Sequence, residues 1–286
     1  MASKNIFLKS SIKLINKVLS PLGYYIMIYG YRDMLHENID GIKIFLGKKK
    51  IRKGLNLNVG GGQHIIEGFK QLDYYSKLYY PDKNEFLKTR VEYDMRSQDI
   101  PYENDTVDNI YCCQVIEHVE TEYVEKFFYE SFRVLKKGGV LRILCPDPAF
   151  LYNVLSFKND WMSWKTDPKK NNGYDEISQE NSWRFFVDEM MKQKLNLPNY
   201  GLSKPIDQFS YESLVEELRK DPIFDDTDLG RHINNWDFKR ISQLSKKVGF
   251  SKTIESKSGS SVSSEMQGED VDTFHKEISL HVDIVK

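Results

Sequence analysis

The chain has 286 residues, with 41 Lys and Arg against 42 Asp and Glu, for a formal charge of −1. That balance excludes a nucleic-acid binder driven by net positive charge. Hydrophobic residues make up 40% and aromatics 13%, enough for a core and too much for a disordered chain. The length fits one large domain, or one domain with a substantial insertion. No apolar run approaches the ~20 residues of a transmembrane helix. Cys112, Cys113 and Cys145 cannot build a disulfide framework, which favours a reducing compartment and a cytoplasmic location. Lysines interrupt every apolar stretch of the opening MASKNIFLKSSIK, so it does not read as a secretory signal.

Charge is uneven along the chain. Residues 1–53 carry eleven basic side chains and three acidic ones. Lys9, Lys13 and Lys17 recur every four residues, and Leu8, Ile12, Ile15 and Leu19 fall on another face at helical spacing. Residues 1–53 are therefore expected to be a basic, helical N-terminal segment. Such a helix either packs on its own domain with its lysines solvated, or lies on an anionic membrane surface from the cytoplasmic side.

The strands follow in order. Leu55–Val59 reads as a short strand running into Gly60-Gly61-Gly62, Phe69–Asp73 as a second, and Val91–Tyr93 as a third ending at Asp94. Val107–Cys113 is a mostly apolar fourth strand, as expected of a buried parallel strand. Glu120–Leu135 has helical periodicity, stopped by Lys136-Lys137-Gly138-Gly139. Val140–Cys145 is a fifth strand, closed by Pro146-Asp147-Pro148. This order predicts an α/β core over residues 54–148 around a mostly parallel sheet. Residues 149–230 break the rhythm and read as a mainly helical insertion. Residues 231–286 return to the core with a helix over Asn235–Val248 and closing strands at Phe250–Glu255 and Ser279–Val285. The last strand alternates Leu280, Val282 and Ile284 with His281 and Asp283, a half-exposed edge pattern. Ser256–Gly268 reads as a mobile, serine-rich loop.

A strand ending in three glycines lets backbone approach a ligand closely. Ligands of open α/β sheets bind at the carboxyl ends of the strands. Gly60-Gly61-Gly62-Gln63-His64-Ile65 lacks the last glycine of G-x-G-x-x-G. About nine residues separate the first two strands, fewer than a crossover with its helix needs. A diphosphate resting on a helix N-terminus is therefore disfavoured, and NAD or FAD with it. Asp73 is placed to accept from ribose hydroxyls and Asp94 from an adenine amino group. Together they describe a nucleoside site without a phosphate clamp.

These segments resemble a class I S-adenosylmethionine-dependent methyltransferase. The similarity runs through Leu57–Gly62, Gly68–Asp73, Asp94-Met95-Arg96, Ile100–Asp108, Gln114–Val119 and Val134–Arg142. The compact first crossover and Cys145-Pro146-Asp147 resemble a bacterial subgroup associated with lipopolysaccharide, capsule and other surface-glycan assembly. The resemblance implies a Rossmann-like, mostly parallel sheet with a shortened first crossover, and S-adenosylmethionine as cofactor. It implies that Gly60, Gly61 and Gly62 approach the methionine part, that Asp73 holds the ribose diol, that Asp94 and the Met95 backbone face adenine, and that Gln114 lines the methionine side. Asn58 is expected among the cofactor-binding residues as well, at a position where many relatives carry an acidic residue or other variants, so its contact is not expected to be a carboxylate's. The implied acceptor is a sugar hydroxyl of a glycan or of its nucleotide- or lipid-linked precursor. The alternatives are a phosphate or phosphoramidate oxygen, an amino sugar, or a non-catalytic scaffold that binds the cofactor.

A sugar hydroxyl is a weak nucleophile, so a general base is sought. His118 follows the fourth strand, Asp147 the fifth, and His232 precedes the last helix. Each has a plainer reading as well: His118 as a residue that shapes the loop, Asp147 as a turn or cap, His232 as a surface histidine. Arg231 is a candidate partner for an acidic or phosphorylated acceptor. Trp161 and Trp164 either stack on a sugar or join a satellite core, and the insertion is expected to form an acceptor-binding lid. No His, Cys, Asp or Glu cluster has structural-zinc spacing, so no metal ligand is assigned, though a loosely held divalent ion stays open.

Overall fold

The computed structural model describes residues 24–32, 39–48, 52–156, 179–220, 224–225, 227–268, 270–272 and 278–286. The chain divides into two compact units, residues 1–52 and 53–286. In the first, β1 (Tyr24–Arg32) and β2 (Ile39–Lys48) form an antiparallel pair in which Tyr24 faces Lys48 and Ile28 faces Ile44. This corrects the expectation of a helical segment through residue 53. Tyr, Ile and Phe recur through both strands, and these residues suit a pleated surface better than a helix. The basic pattern over Leu8–Leu19 lies outside the described residues.

The second unit is built on a seven-stranded sheet. Its strands are β3 (Asn56–Val59), β4 (Phe69–Asp73), β5 (Arg90–Glu92), β6 (Val107–Cys113), β7 (Leu135–Pro146), β8 (Lys252–Glu255) and β9 (Ser279–Val285). Their order is β5-β4-β3-β6-β7-β9-β8. All neighbours are parallel except β9, which runs antiparallel to both β7 and β8. Strand order reverses at β3, between β4 and β6, so the crevice at the carboxyl ends of β3 and β6 is the topological switch point. No helix lies between β3 and β4, as the nine-residue spacing predicts. β3 and β6 are buried throughout their lengths apart from Asp108.

Helices α1 (Lys83–Thr89), α2 (Thr121–Val134), α3 (Pro148–Ser156), α4 (Gln179–Met191), α5 (Tyr211–Leu218) and α6 (Phe238–Val248) complete the unit. The apolar stripe of α2 (Val124, Phe127, Phe128) and that of α6 (Ile241, Leu244) pack with Leu57, Val59 and Ile143 of the sheet. Burying each of these phenylalanines stabilises the fold by roughly 1.5–3 kcal/mol. Asp237 caps α6 by accepting from the Arg240 N–H at 2.7 Å, and Gly249 ends it in the left-handed conformation. The insertion has its own core. Trp183, Phe185 and Phe186 of α4 pack with Leu151, Leu214 and Leu218.

Two tail expectations change. β9 is not an edge strand: it lies between β7 and β8, with His281 and Asp283 both buried. Register explains the burial of Asp283, because it faces Arg142 of β7. Arg142 donates to Asp283 at 2.8 Å and to Asp272 through Nε at 3.2 Å, and no atom of the three side chains reaches solvent. Burial works against the guanidinium charge, but the bonds to Asp272 and Asp283 outweigh it and hold the Arg142 pKa above its ordinary value. Ser256–Gly268 is correspondingly packed rather than free-standing. Lys257 O accepts from Arg142, Val262 N and Ser261 Oγ donate to Asp283, and Gly259 N donates to Asp272. Met266 and Val271 cover Ile66, Tyr111 and Leu144 on the sheet face opposite α2.

Arg142→Leu leaves two buried carboxylates without their cation and is expected to cost about 3–5 kcal/mol. Equilibrium urea unfolding measures it, and a loss under about 1 kcal/mol would show that the three charges do not act as a unit.

Candidate active site

β3 gives way to a turn at Gly60 and Gly62, with φ of +67° and +54°. Gly60 is required twice over: its φ is left-handed, and a Cβ there would lie 2.5 Å from Val115 Cγ2. The Gly60 N–H donates to Leu72 O at 2.8 Å, which ties the turn to β4. Asn58 supports it from beneath, donating to His64 O at 2.8 Å and to Gln71 Oε1 at 2.7 Å. Asn58 is therefore buried support for the turn and does not line the cavity beside it.

Asp73, at the end of β4, organises the opposite side. Its Oδ2 accepts from the Gly62 N–H at 2.9 Å and the Tyr80 hydroxyl at 2.7 Å, and its Oδ1 accepts from the Tyr74 N–H at 2.9 Å. Arg90 stands 4.0 Å away and donates to Gly62 O at 2.8 Å. Burial raises the carboxyl pKa, against the pull of the bonds from Tyr80, Tyr74 and Gly62 and of the Arg90 charge. One acceptor site on Oδ1 is left over from these bonds, pointing to a hydroxyl donor such as a ribose.

A cavity of about 260 Å³ opens between these elements. Gly60, Gly62, Asp73, Asp94, Met95 and Gln114 all line it, together with His118 and the aromatic rings of Tyr74, Tyr79, Tyr80, Tyr93 and Phe224. Asp94 is not presented alone. Its Oδ1 accepts from the Arg96 N–H and Nε, each at 3.0 Å, and its Oδ2 from Arg96 at 3.3 Å and Ser97 at 3.2 Å. Burial alone would raise its pKa, but the bonds to Arg96 outweigh that and lower it. An adenine amino group would share this carboxylate with Arg96, whose guanidinium lies 3.8 Å from the Phe224 ring centroid. Gln114 follows β6 with φ +55°, a strained conformation for a non-glycine residue. Its N–H donates to Leu144 O at 2.8 Å and its Nε2 to Ser279 Oγ at 2.9 Å, which fix it at the cavity wall.

At its far end the cavity reaches His118, whose turn, Ile116–His118, is held from behind by the segment 231–236. Ile233 N and Asn234 N donate to Glu117 O at 2.9 and 3.1 Å, and Trp236 Nε1 donates to Ile116 O at 3.1 Å. These bonds bring His118 and His232 together, ring centroids 4.7 Å apart. His118 lies 3.1 Å from Arg231 O through Nδ1, and His232 lies 2.6 Å from Glu189 O through Nδ1. Burial, then the neighbouring His232, pushes the His118 pKa down to about 3, so the ring is neutral at pH 7 and a poor proton acceptor by itself. Glu117 is buried beneath it, and neither carboxylate oxygen has a hydrogen-bond partner. Burial pushes its pKa up to about 8. The N–H groups of Val115 and Glu117 pull the other way without meeting a carboxylate oxygen in bonding geometry.

Asp147 lies apart from this site. Its Oδ1 accepts from Phe150 N at 3.0 Å and its carbonyl from Leu151 N at 3.1 Å, so it caps α3 and does not line the cavity. Arg231 is neutralised by Asp228 at 3.1 Å and Asp225 at 3.6 Å. Trp161 and Trp164 lie outside the described residues. Residues the sequence does not single out are Glu117, Tyr80 and Arg96. Of these, Glu117 alone carries a local signal, an acid between Ile116 and His118 just past a buried strand.

The family described as Methyltransferase domain matches residues 70–143, which run from β4 into β7. No curated protein matches the chain. Among solved structures, the chain is similar to an S-adenosylmethionine-dependent methyltransferase of Thermotoga maritima, titled a possible histamine N-methyltransferase. That pair shares 11% identity over 82% of this chain and 84% of that one, with a TM-score of 0.38. It is also similar to an S-adenosylmethionine-dependent methyltransferase of Archaeoglobus fulgidus, at 12% identity over 82% and 86% of the chains and a TM-score of 0.39. No residue role is carried over from either. The sheet is that of the Rossmann-like class I methyltransferases, and S-adenosylmethionine is the cofactor that goes with the matched domain. The cavity fits such a group: a bare glycine turn, one open acceptor site on Asp73 and an aromatic wall lie at the switch point, and no helix follows the turn before β4.

Gly60→Ala and Gly62→Ala separate the two demands on the turn. At Gly62 a Cβ meets nothing within 4 Å, so only the left-handed φ is penalised, by about 1–2 kcal/mol. At Gly60 the same strain adds to a clash with Val115. Gly60→Ala should therefore lose more stability than Gly62→Ala in urea unfolding, and equal losses would refute the close packing of Val115 on the turn.

Proposed function

We propose that the protein transfers a methyl group from S-adenosylmethionine to a sugar hydroxyl of a bacterial surface glycan or of its nucleotide- or lipid-linked precursor. The Asp73-clamped glycine turn at the switch point is the observation that carries the cofactor half. The acceptor half rests on the resemblance to glycan-assembly methyltransferases and on the chemistry of the far end of the cavity. When bound, the cofactor supplies a methyl group made electrophilic by its sulfonium. The protein's part is to hold an oxygen in line with that methyl, which is where much of the rate comes from. Glycine backbone and Gln114 would flank the methionine part, Asp73 the ribose, and Met95 with the ring of Tyr93 the base. Transfer of that methyl to the acceptor oxygen would leave a neutral thioether, with the hydroxyl proton passing to solvent.

A phosphate oxygen as acceptor is less well supported. Such an anion calls for unpaired cations, whereas Arg231 is held by Asp225 and Asp228, and Arg96 by Asp94. Phe224, Leu229 and Gly230, from the end of the insertion, border the cavity. This supports the insertion as the lid over the acceptor.

Calorimetry with S-adenosylmethionine and S-adenosylhomocysteine tests the cofactor half. Asp73→Ala removes the ribose acceptor and the clamp on Gly62, and should weaken both ligands by about tenfold or more, near 1.4 kcal/mol. Unchanged affinity would exclude the assigned ribose site. Mass spectrometry of surface polysaccharide from a gene-deleted strain tests the acceptor. Loss of one methyl unit is expected, and an unaltered glycan would count against it.

A further inference from the structure

Glu117 and His118 are neighbours on the turn that follows β6, and His232 comes from the segment bonded along that turn. One donor atom from each of the three lies within 4.8 Å of the other two. We propose that Glu117, His118 and His232 form a binding site for a divalent transition-metal ion, open toward the cavity on its His118 side.

Three observations carry this. The Glu117 carboxylate is 1% exposed and unpartnered on both oxygens, a costly arrangement that an ion would resolve. Its Oε1 lies 3.9 Å from His118 Nε2 and so faces the imidazole. Both imidazoles turn Nδ1 to a backbone carbonyl, His118 to Arg231 O and His232 to Glu189 O. A carbonyl accepts only, so each ring carries its proton on Nδ1 and Nε2 becomes the acceptor nitrogen. That is the outer-shell arrangement that orients metal-bound histidines.

Two imidazoles and one carboxylate select zinc, cobalt, nickel, iron or manganese over magnesium and calcium. Three protein ligands leave a coordination position open, the pattern of catalytic rather than structural sites. Zinc–nitrogen bonds of about 2.0–2.1 Å set donors about 3.3 Å apart, so binding draws the side chains inward on a scaffold already fixed by the backbone N–H bonds of Ile233 and Asn234 and the indole bond of Trp236. An acceptor oxygen in the open position would have its pKa lowered, which would activate it as the nucleophile. This role rests on the function proposed above; the site itself does not.

The test uses the full chain, stripped with a chelator and titrated calorimetrically with Zn²⁺ and Co²⁺. One ion per chain is expected, and Glu117→Gln and His232→Gln should each weaken binding by about 100-fold or more. Circular dichroism checks that the variants fold. Electron paramagnetic resonance of the Cu²⁺-loaded wild-type chain needs no variant and should show coupling to two imidazole nitrogens. No stoichiometric ion, variants that bind like wild type, or a spectrum without both nitrogens would each overturn the site. Methyl transfer to glycan by the chelated, metal-free enzyme would overturn its role and leave the acceptor reading intact. An ion bound in the predicted way without glycan methylation would uphold the site while the acceptor reading fails.

Discussion

The pocket depends on one carboxylate. Asp73 accepts from the N–H of Gly62, from the N–H of Tyr74 and from the Tyr80 hydroxyl, and so ties the glycine turn after β3 to the segment after β4. Two parallel neighbours joined without a helix have no packed crossover to set the distance between their ends. Asp73 sets it. Arg90 completes the frame from β5 by donating to Gly62 O. The same short connection that removes a helix N-terminus from the turn also removes the usual cradle for a diphosphate. The lack of a diphosphate cradle and the carboxylate clamp are two consequences of one short loop.

The other edge of the sheet is governed by a different cost. Reversing β9 between β7 and β8 brings Asp283 opposite Arg142 in the middle of the sheet. Two carboxylates and one guanidinium would be an expensive burial if left at that. The remainder is met by Ser261 and the backbone N–H groups of Gly259 and Val262, all from the serine-rich loop. The loop cannot leave without stranding charge, and while it stays, Met266 and Val271 cover the sheet face opposite α2.

Much of this was legible in the residues, and the failures have physical causes. Phe69–Asp73, Val107–Cys113 and Ser279–Val285 stand at the predicted bounds because apolar β-formers end there at Asp, Gly or polar runs. The position of β9 was not legible, since alternation of Leu280, Val282 and Ile284 with His281 and Asp283 marks a solvated face unless a buried cation lies across the ladder. Arg142 is that cation, and nothing local to β9 announces it. The loop was misjudged for the same reason: its serines read as solvent-facing but serve as donors to buried acids. In the first unit, lysine spacing early in the segment suggested helix, while Tyr24–Lys48 follows its aromatic and β-branched residues into a hairpin.

The candidate site divides along the same line. Gly60, Asp73, Asp94 and Gln114 each stand at the end of a strand, where topology alone brings them together, so sequence order suffices to find them. Glu117 and His232 meet only because the segment 231–236 lays its backbone along the turn after β6, through bonds to the Ile116 and Glu117 carbonyls. Two of these bonds come from backbone N–H groups and leave no trace in side-chain identity, while the third comes from the Trp236 indole. A cofactor that enters and leaves at each turnover is suited by a wall of hydroxyl and carboxylate contacts that water can replace. A resident ion is suited by donors whose backbones are already fixed, and the two ends of this cavity differ in that way.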